Sequence, residues 1–439
     1  MISPKSIRSK LSDSIQQLQK NRTLAFQNPE SDFTRKGKCG FEKTINTILH
    51  FGASKIPTEL RSYFGHHLKD IPTSSAFVQQ RAKLAAGVFP FLFHHFNNAI
   101  PFSKTENGFH WIACDGSDIN LPTNQKDTEN FIPYKSKKGG YWQMHLNALF
   151  DITEQRFVDL VIQPRPQCKE VAALVTMVDR CSFPENTVFL GDRGYPSFNL
   201  MAHIAEKNMY FLFRSKKPDS SGCMLKGLPL PDSGEYDKDI SIGITRSRKK
   251  KYTKHPEKYR SLGKKQRFDF ISIGDRETVY TLAFRVVCVE LSEGEYEYLI
   301  TNLPRQSFDI QKLKACYWKR WRIEVAFRNI KYALSMVRFH SRNREFIKQE
   351  IYARMIMYNY TSLLAKWADK KMDRRNTKWK YAVSFSNAVS VARDTLRSKM
   401  SDKEVLAHLS RYKIPIKPGR KAVRNVRSQS AVPLNYRGS

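Results

Sequence analysis

The sequence predicts an α/β fold in which a mixed sheet is flanked by helices, interrupted by a β-rich insertion, and preceded and followed by helical regions. Apolar runs typical of strands begin near residue 108 at hairpin-like spacing. A strand, a helix and a further strand follow within residues 187–214. Helical periodicity dominates before residue 105 and after residue 309. Antiparallel strands followed by a strand-helix-strand unit indicate a mixed sheet.

The composition favours a large, basic protein that binds nucleic acid. The chain has 439 residues, enough for roughly two to four domains. Its 75 Lys and Arg against 41 Asp and Glu give a formal charge of +34, which favours a polyanionic partner, with nucleic acid first. An anionic membrane is the alternative, but the sequence has no apolar run of about 18 residues and no signal peptide at its start. We therefore expect a soluble, cytoplasmic protein without a membrane partner.

Seven cysteines are scattered along the chain and are never spaced C-x-x-C. An odd number without paired spacing indicates neither a disulfide framework nor a zinc site. We expect reduced thiols, most of them buried.

Residues 1–105 form the predicted helical N-terminal region. Leu11, Ile15 and Leu18 make a thin apolar stripe, so residues 1–30 are predicted to be a polar, basic helical arm. Short helical segments then recur between Gly and Pro breakers, at 41–51, 58–67 and 74–86. Short helices joined by turns allow a DNA-binding module, and a helical cap on the next domain is the open alternative.

Residues 106–214 are predicted to hold the first part of the sheet. Three adjacent antiparallel strands are expected in HWIACDGSDINLP and at 141–151 and 156–164. A helix near 168–182 follows, and then the strand-helix-strand unit at 187–191, 197–207 and 209–214.

Residues 215–308 are predicted to form a β-rich insertion. Strands are predicted in the segments RFDFISIG, TVYTLAFRVVCVE and YEYLITNLP. The basic run at 245–267 is either a solvated loop or a phosphate contact. Residues 309–372 carry two helices, the second at 345–370. Residues 373–439 carry helices at 381–397 and 401–411 and a basic tail that is predicted to be disordered.

The first helix of the 309–372 segment places polar residues on one face. On a helical projection Tyr317, Arg320, Glu324 and Lys331 fall inside an arc of roughly 60°, beside a separate apolar stripe. An exposed face with an ion pair between Arg320 and Glu324 is the simpler interpretation, because their i,i+4 spacing suits one.

Three acidic residues have settings that suit metal-dependent phosphodiester chemistry. Asp115 follows the apolar run WIAC, Asp192 follows VFLG, and Glu324 lies on the polar face of the helix. Two Mg²⁺ ions require carboxylates that converge from rigid elements, because Mg²⁺ prefers oxygen ligands. An Asp-Gly pair after a strand is more often a turn. Asp118 is the competing choice for Asp115, which we prefer because it is nearer the apolar run.

The spacing Tyr317-x2-Arg320-x3-Glu324-x6-Lys331 resembles the Y-R-E-K signature of one large group of DDE transposases from bacterial insertion sequences. The D-G-S-D segment at Asp115 is similar to the first acidic motif of that group. GDRGY, which contains Asp192, is similar to the second, and TNLP precedes the signature as it does there. The resemblance covers residues 75–370. Some members have D-R-E-A-D where this chain has Asp192-Arg-Gly-Tyr-Pro, which leaves the handling of flanking DNA open.

The resemblance implies an RNase H-like catalytic domain, formed by 106–214 and 309–372 and cut after its fifth strand by the insertion. It implies that Asp115, Asp192 and Glu324 bind two ions of Mg²⁺ or Mn²⁺. By the same resemblance, the signature Tyr, Arg and Lys contact DNA phosphates near the transposon end, here Tyr317, Arg320 and Lys331. Trp321, beside Arg320, is a candidate for stacking on an unpaired base, and a packing tryptophan is the alternative.

The predicted function is a DNA transposase that binds the ends of a mobile element, cleaves a strand and transfers it to target DNA. A homodimer on paired ends and a bacterial, nucleoid-associated location are expected from the resemblance. The alternatives are an RNase H-like nuclease, which would not require the Tyr-Arg-Lys stripe, and a catalytically inactive DNA-binding derivative. The presence of all three acids argues against the second.

Overall fold

The computed structural model describes residues 2–35, 37–102, 108–135, 138–372 and 379–416. Helices cover both ends of this part of the chain: α1 (Pro4–Lys20), α2 (Arg22–Ala25), α3 (Phe41–His50), α4 (Ile56–Phe64), α5 (Ser74–Ala82), α6 (Val88–Asn98), α7 (Glu170–Arg180), α8 (Phe198–Glu206), α9 (Lys250–Thr253), α10 (Ile310–Trp318), α11 (Arg322–Tyr332), α12 (Arg344–Lys371), α13 (Phe385–Arg397) and α14 (Asp402–Arg411).

Most of the strands lie in the middle of the chain, between α6 and α10, and two short ones lie near the end of the described residues. Their bounds are β1 (His110–Leu121), β2 (Phe131–Pro133), β3 (Gly140–Asp151), β4 (Arg156–Pro164), β5 (Thr187–Gly191), β6 (Tyr210–Ser215), β7 (Tyr236–Thr245), β8 (Tyr259–Ser261), β9 (Val279–Ser292), β10 (Glu295–Thr301), β11 (Lys380–Val383) and β12 (Lys413–Ile416).

One ten-stranded mixed sheet organises the fold. Its order is β2-β3-β1-β5-β6-β10-β9-β7-β8, and β4 pairs with β3. The predicted antiparallel meander is present, since β3 pairs antiparallel with both β1 and β4. The predicted strand-helix-strand unit is present too, and its strands β5 and β6 run parallel to β1. The mixed α/β class with flanking helices is confirmed, and the strands predicted as the β-rich insertion follow β6, the fifth long strand of the sheet.

Strand β1 is apolar on both faces because helices cover both sides of the sheet. Ile112 and Cys114 belong to a core shared with residues of α7 and α8. Trp111 and Ala113 belong to the opposite core, which contains residues of α11 and α12. This alternation continues along the strand, so Asp115 faces the α11 side and Gly116 faces the α7 side.

The insertion extends the same sheet instead of forming a separate one. Strand β10 pairs antiparallel with β6, and β9 and β7 continue outward from it. The strand predicted in RFDFISIG is wrong: residues 267–274 form turns, and Phe268 and Ile271 are buried there. Strand β7 was not predicted. The basic run is partly ordered, because the guanidinium of buried Arg246 donates to four backbone carbonyls.

The N-terminal helix is not a polar arm, contrary to the prediction. Leu11, Ile15 and Leu18 are buried, and α1 packs against α3, α6 and α12. The stripe was read correctly, but it anchors the helix to the same core as α12. The predicted C-terminal helices are present as α13 and α14. Most of the predicted basic tail, from residue 417, lies outside the described residues.

The segment that carries the Tyr-Arg-Glu-Lys spacing is two helices and not one. Helix α10 ends at Trp318, residues Lys319–Trp321 form a 3-10 turn, and α11 begins at Arg322. A 3-10 turn winds the chain more tightly than an α-helix, so it changes the direction of side chains on either side. Among the described residues, no helix is both long enough and apolar enough to cross a bilayer.

Candidate active site

Asp115 lies in the middle of β1, on the face covered by α11. The backbone N–H of Gly116 donates to Asp115 Oδ1 at 2.9 Å. The Asp-Gly pair is therefore not a turn, because β1 stays paired with β3 as far as Leu121. A rigid strand fixes the direction of this carboxylate.

Asp192 follows the last residue of β5, the strand next to β1 in the sheet. The N–H of Tyr195 donates to the Asp192 carbonyl at 3.0 Å, which closes the turn of the DRGY segment. The hydroxyl of Tyr317 donates to Asp192 Oδ1 at 3.4 Å. The end of α10 therefore contacts the second predicted acidic residue directly.

Arg320 joins the other two acids. Its guanidinium lies 3.2 Å from Glu324 Oε1 and 3.9 Å from Asp115 Oδ2, and its side chain is only 3% exposed. The simpler interpretation of the sequence made the ion pair between Arg320 and Glu324 an exposed surface pair, but the structure places this pair inside the cluster of acids. Asp115, Asp192 and Glu324 thus converge from a strand, a strand end and a helix.

The pKa of Asp115 is shifted by its burial and by the charged groups around it. Burial raises its pKa, the nearby Arg320 opposes that shift, and the charges of Glu324 and Asp192 raise the pKa further, to about 6. The pKa of Arg320 is raised: its own burial lowers it, but Tyr317, Asp192, Asp115 and Glu324 more than compensate. One cation is shared by three carboxylates, so the site holds excess negative charge.

The remaining predicted DNA contacts differ in exposure. Tyr317 is buried, and its phenol pKa is raised by burial, with the charge of Arg320 opposing. Lys331 is half-buried on α11, and burial lowers its pKa although Asp118 and Asp115 oppose that shift. Trp321 is 40% exposed and is not a core residue; its ring lies 5.1 Å from the guanidinium carbon of Arg320. A face of the ring is therefore stacked on a cation.

A second group of charged residues, which the sequence did not suggest, lies on the opposite face of β1. His145 of β3 is the register partner of Asp118, and its Nδ1 lies 2.6 Å from Asp118 Oδ1. Its Nε2 lies 3.2 Å from Glu170 Oε1. Arg165 Nε lies 2.8 Å from Asp118 Oδ1. We call Asp118, His145, Arg165 and Glu170 the back-face cluster.

The back-face cluster neutralises itself. Burial tends to raise the pKa of Asp118, but the hydrogen bond from His145 and the charge of Arg165 lower it overall. Burial lowers the pKa of His145, yet Asp118 and Glu170 raise it to about 9, so the imidazole is a cation between two carboxylates. Asp118 therefore has cationic partners, whereas Asp115 lies with the other acids, and this arrangement favours Asp115 as the member of the acidic group.

A clue to the back-face cluster was present in the sequence. Glycine inside a strand often marks a close approach by another group. A Cβ at Gly116 would lie 2.2 Å from His145 Nε2, so the imidazole lies directly against this glycine. The identity of that group could not be read from the sequence, because His145 comes from another strand.

Comparison with known proteins identifies one family. A family model described as "Transposase DDE domain" matches residues 110–360, more than half of the chain. No curated protein shows significant similarity to the sequence. Among seven matching chains of solved structures is one from a cryo-EM structure of a piggyBac transposase synaptic complex with hairpin DNA. It is 8% identical with a TM-score of 0.48, over 96% of this chain and 87% of that one. The extent of the family match shows that the chain belongs to the DDE transposases.

Proposed function

We propose that this transposase binds two divalent cations, Mg²⁺ or Mn²⁺, through Asp115, Asp192 and Glu324, and that it cleaves DNA at the ends of a mobile element and transfers the cut strand to target DNA. Enzymes of the DDE family generally use divalent metal ions. The observation that carries the proposal is the convergence of these three acids around a single buried arginine.

The residues fit such ions in charge and in donor type. Three carboxylates against one guanidinium leave a net charge of −2 when all are ionised. Burial is the largest cause of the raised pKa of Asp115, and the charges of Glu324 and Asp192 add to it. Carboxylate oxygens are the ligands that Mg²⁺ prefers. When bound, the ions would supply Lewis-acid polarisation of the phosphodiester and ease ionisation of an attacking water.

The surrounding residues hold the carboxylates and the DNA. Arg320 orients Asp115 and Glu324 from its position between them, and Tyr317 orients Asp192 through its hydroxyl. Because Tyr317 and Arg320 are buried, any phosphate that they contact lies at the cluster itself. Lys331 provides a further cation at the edge, and Trp321 provides an exposed ring for an unpaired base.

The partners and the organisation follow from the family and the charge. We infer a DNA substrate consisting of element ends and target, because the +34 charge favours a polyanion and strong salt dependence of binding. A homodimer on paired ends, the Y-R-E-K subgroup and a bacterial cytoplasmic, nucleoid-associated setting belong to the same proposal. The proposal also includes a DNA-binding role for the N-terminal region. It divides the chain into regions 1–105, 106–214, 215–308, 309–372 and 373–439.

Cleavage of a DNA duplex that carries candidate terminal inverted repeats, with Mg²⁺ or Mn²⁺, tests the proposal. Asp115→Asn, Asp192→Asn and Glu324→Gln should each lower the cleavage rate by on the order of 10³-fold or more, since the ions contribute several kcal/mol. Glu277→Gln is the matched control, because Glu277 is 77% exposed and pairs only with Lys249 among the described ion pairs. Equal rates in all variants would contradict the assignment of the three acids.

The same assay separates the alternatives. Cutting without preference for the terminal repeats would favour an RNase H-like nuclease. Binding to the repeats without cutting, under every metal condition and in wild type as well as variants, would favour an inactive DNA-binding derivative.

A further inference from the structure

The main-chain ladder between the two strands that carry the catalytic aspartates stops before it reaches them. Strands β1 and β5 pair from His110 with Thr187 to Ala113 with Leu190. Asp115 and Asp192 each lie two residues beyond the last pair. The ladder therefore does not itself fix the spacing of their carboxylates, so contacts outside it contribute. Arg320 contacts Asp115 and Tyr317 contacts Asp192, and a further group acts from the opposite face of the sheet.

Glu170 occupies the gap beyond the ladder. It is the first residue of α7, on the face of the sheet opposite Asp115. Its Oε1 lies 3.3 Å from the position that a Cβ would take at Gly116, and its Oε2 lies 3.8 Å from the corresponding position at Gly194. Gly116 follows Asp115, and Gly194 lies two residues after Asp192. One carboxylate therefore packs against the backbone beside both aspartates.

His145 holds Glu170 in this place. Its side chain is 4% exposed, its Nδ1 is engaged by Asp118 at 2.6 Å, and its Nε2 lies 3.2 Å from Glu170 Oε1. The imidazole is seated on Gly116, where any side chain would collide with it at 2.2 Å. The back-face cluster thus contacts β1 at two residues: His145 and Arg165 contact Asp118, and His145 and Glu170 pack against Gly116.

We propose that Glu170, held by His145, is a positioning residue that sets the spacing of Asp115 and Asp192 from the back of the sheet and thereby the affinity of the site for divalent cations. This inference rests on the proposed function. Glu170 acts through the backbone of Gly116 and Gly194, because side chains at 115 and 116 point to opposite faces of β1. Groups that orient metal ligands without touching the metal typically change its affinity by about 10- to 100-fold.

Binding of Mn²⁺ to the full-length protein, measured by electron paramagnetic resonance or calorimetry without DNA, tests the inference. Glu170→Ala should weaken Mn²⁺ binding by about 10-fold, and Glu170→Gln, which keeps the volume, should weaken it less. Asp179→Asn is the matched control: Asp179 lies on the same helix, is half-exposed, and pairs with a histidine, His203, at 2.7 Å. It should leave the affinity unchanged.

Further variants locate the ion. The ligand atoms of His145, Cys168 and Glu170 lie within 4.8 Å of one another, so this group itself is a conceivable metal site. If Cys168→Ser leaves Mn²⁺ affinity unchanged while Asp115→Asn abolishes binding, the ion lies at the three acids, as expected. A loss of affinity in Cys168→Ser as large as that in Glu170→Ala would overturn the positioning role in favour of direct ligation.

Failure of the inference differs from failure of the proposed function. Mn²⁺ binding that Asp115→Asn and Asp192→Asn leave intact would contradict the proposed function. Binding that those variants abolish, but that Glu170→Ala and Glu170→Gln leave at wild-type affinity, would overturn the positioning role alone.

Discussion

The two faces of β1 hold similar numbers of acids in opposite electrostatic states. On the α11 face, Asp115 shares one arginine with two other carboxylates, and its pKa is raised to about 6. On the α7 face, Asp118 has both His145 and Arg165 as partners, and its pKa is lowered. The strand and the residue type are alike, but Asp115 is the more buried, 24% exposed against 39% for Asp118, so both desolvation and the smaller number of nearby cations raise its pKa.

Under the proposed function, this difference separates the metal-binding face of β1 from a structural one. Acids that repel each other are retained at a cost to stability, and a divalent cation would relieve that cost. Paired acids stabilise the fold directly. The comparison therefore predicts that equivalent substitutions on the two faces of β1 have effects of different size and even of different sign.

Removal of the central arginine is the most severe way to disturb the α11 face. Breaking a buried ion pair by removing one partner costs about 3–5 kcal/mol, and the partial exposure of Asp115 and Glu324 reduces this to roughly 2–3 kcal/mol for Arg320→Ala. Urea denaturation measures the loss. On the other face, Arg165→Ala should cost under about 1 kcal/mol, because that pair is more exposed. Equal losses of unfolding free energy in Arg320→Ala and Arg165→Ala would contradict the difference between the two faces.

Neutralising one acid on each face should give opposite signs. The shift of the Asp115 pKa from 3.8 to about 6 means that its charge costs stability, so Asp115→Asn should stabilise the metal-free protein by about 2–3 kcal/mol near neutral pH. Asp118→Asn should destabilise it, because the pKa of Asp118 is lowered in the folded state. Thermal unfolding in the presence of a chelator compares the two. Destabilisation by both would contradict the excess of charge at Asp115.

The pH dependence has a defined sign. The contribution of Asp115 is fully present below its unfolded pKa of 3.8 and is lost as the pH rises through about 6, because the folded state holds the proton more tightly. The difference in unfolding free energy between Asp115→Asn and wild type should therefore grow between these pH values and then level off. A difference that is constant with pH would show that the variant acts by packing instead.

A smaller effect is expected where the back-face cluster touches β1. Gly116→Ala places a methyl group 2.2 Å from His145 Nε2, so the strand or the imidazole has to move, at a cost of about 1–3 kcal/mol. His145→Ala in the same chain removes the collision, and the two changes should be strongly non-additive in a double-mutant cycle. Gly263→Ala is the control, because the atom nearest to a Cβ added at Gly263 lies 3.7 Å away. Additive effects would contradict the contact.

The smallest effect on stability is expected at Trp321. Its exposed ring contributes little to the core, so Trp321→Ala should change the free energy of unfolding by about 0.5 kcal/mol or less. If the ring stacks on an unpaired base, the same change should weaken binding of DNA with unpaired end bases by roughly 1–3 kcal/mol and leave fully paired duplex binding unaffected. Equal binding of both DNAs by the variant and wild type would remove Trp321 from the interface.

Features with strong local periodicity could be predicted from the sequence. The antiparallel meander, the strand-helix-strand unit and α12 all follow from regular apolar patterns. The apolar residues of RFDFISIG were misread as a strand: Phe268 and Ile271, three residues apart, are the ones buried, and the segment forms turns. Strand β7 was overlooked since its outer half, Tyr236–Asp239, is charged and partly exposed, as an outlying strand can be.

Contacts between distant elements could not be predicted. Asp115 and Asp192 were proposed from their positions after apolar runs and Glu324 from the polar face of its helix. The sequence could not show that Arg320 lies between Asp115 and Glu324, or that a 3-10 turn redirects it. The back-face cluster joins β1, β3 and the start of α7. No local sequence pattern predicts contacts between elements that are so far apart in the chain.

Thermal unfolding with and without Mg²⁺ or Mn²⁺ tests the central claim most directly, because it requires neither the end sequence nor catalysis. At about 100 times Kd, bound cation should stabilise the wild type by about 2.7 kcal/mol, or roughly 3 °C for a chain of this length. The account predicts that Asp179→Asn, at a residue outside the back-face cluster, keeps this metal-dependent shift and that Asp115→Asn, Asp192→Asn and Glu324→Gln lose it. A shift that survives in the last three variants would contradict the claim that these acids bind the metal.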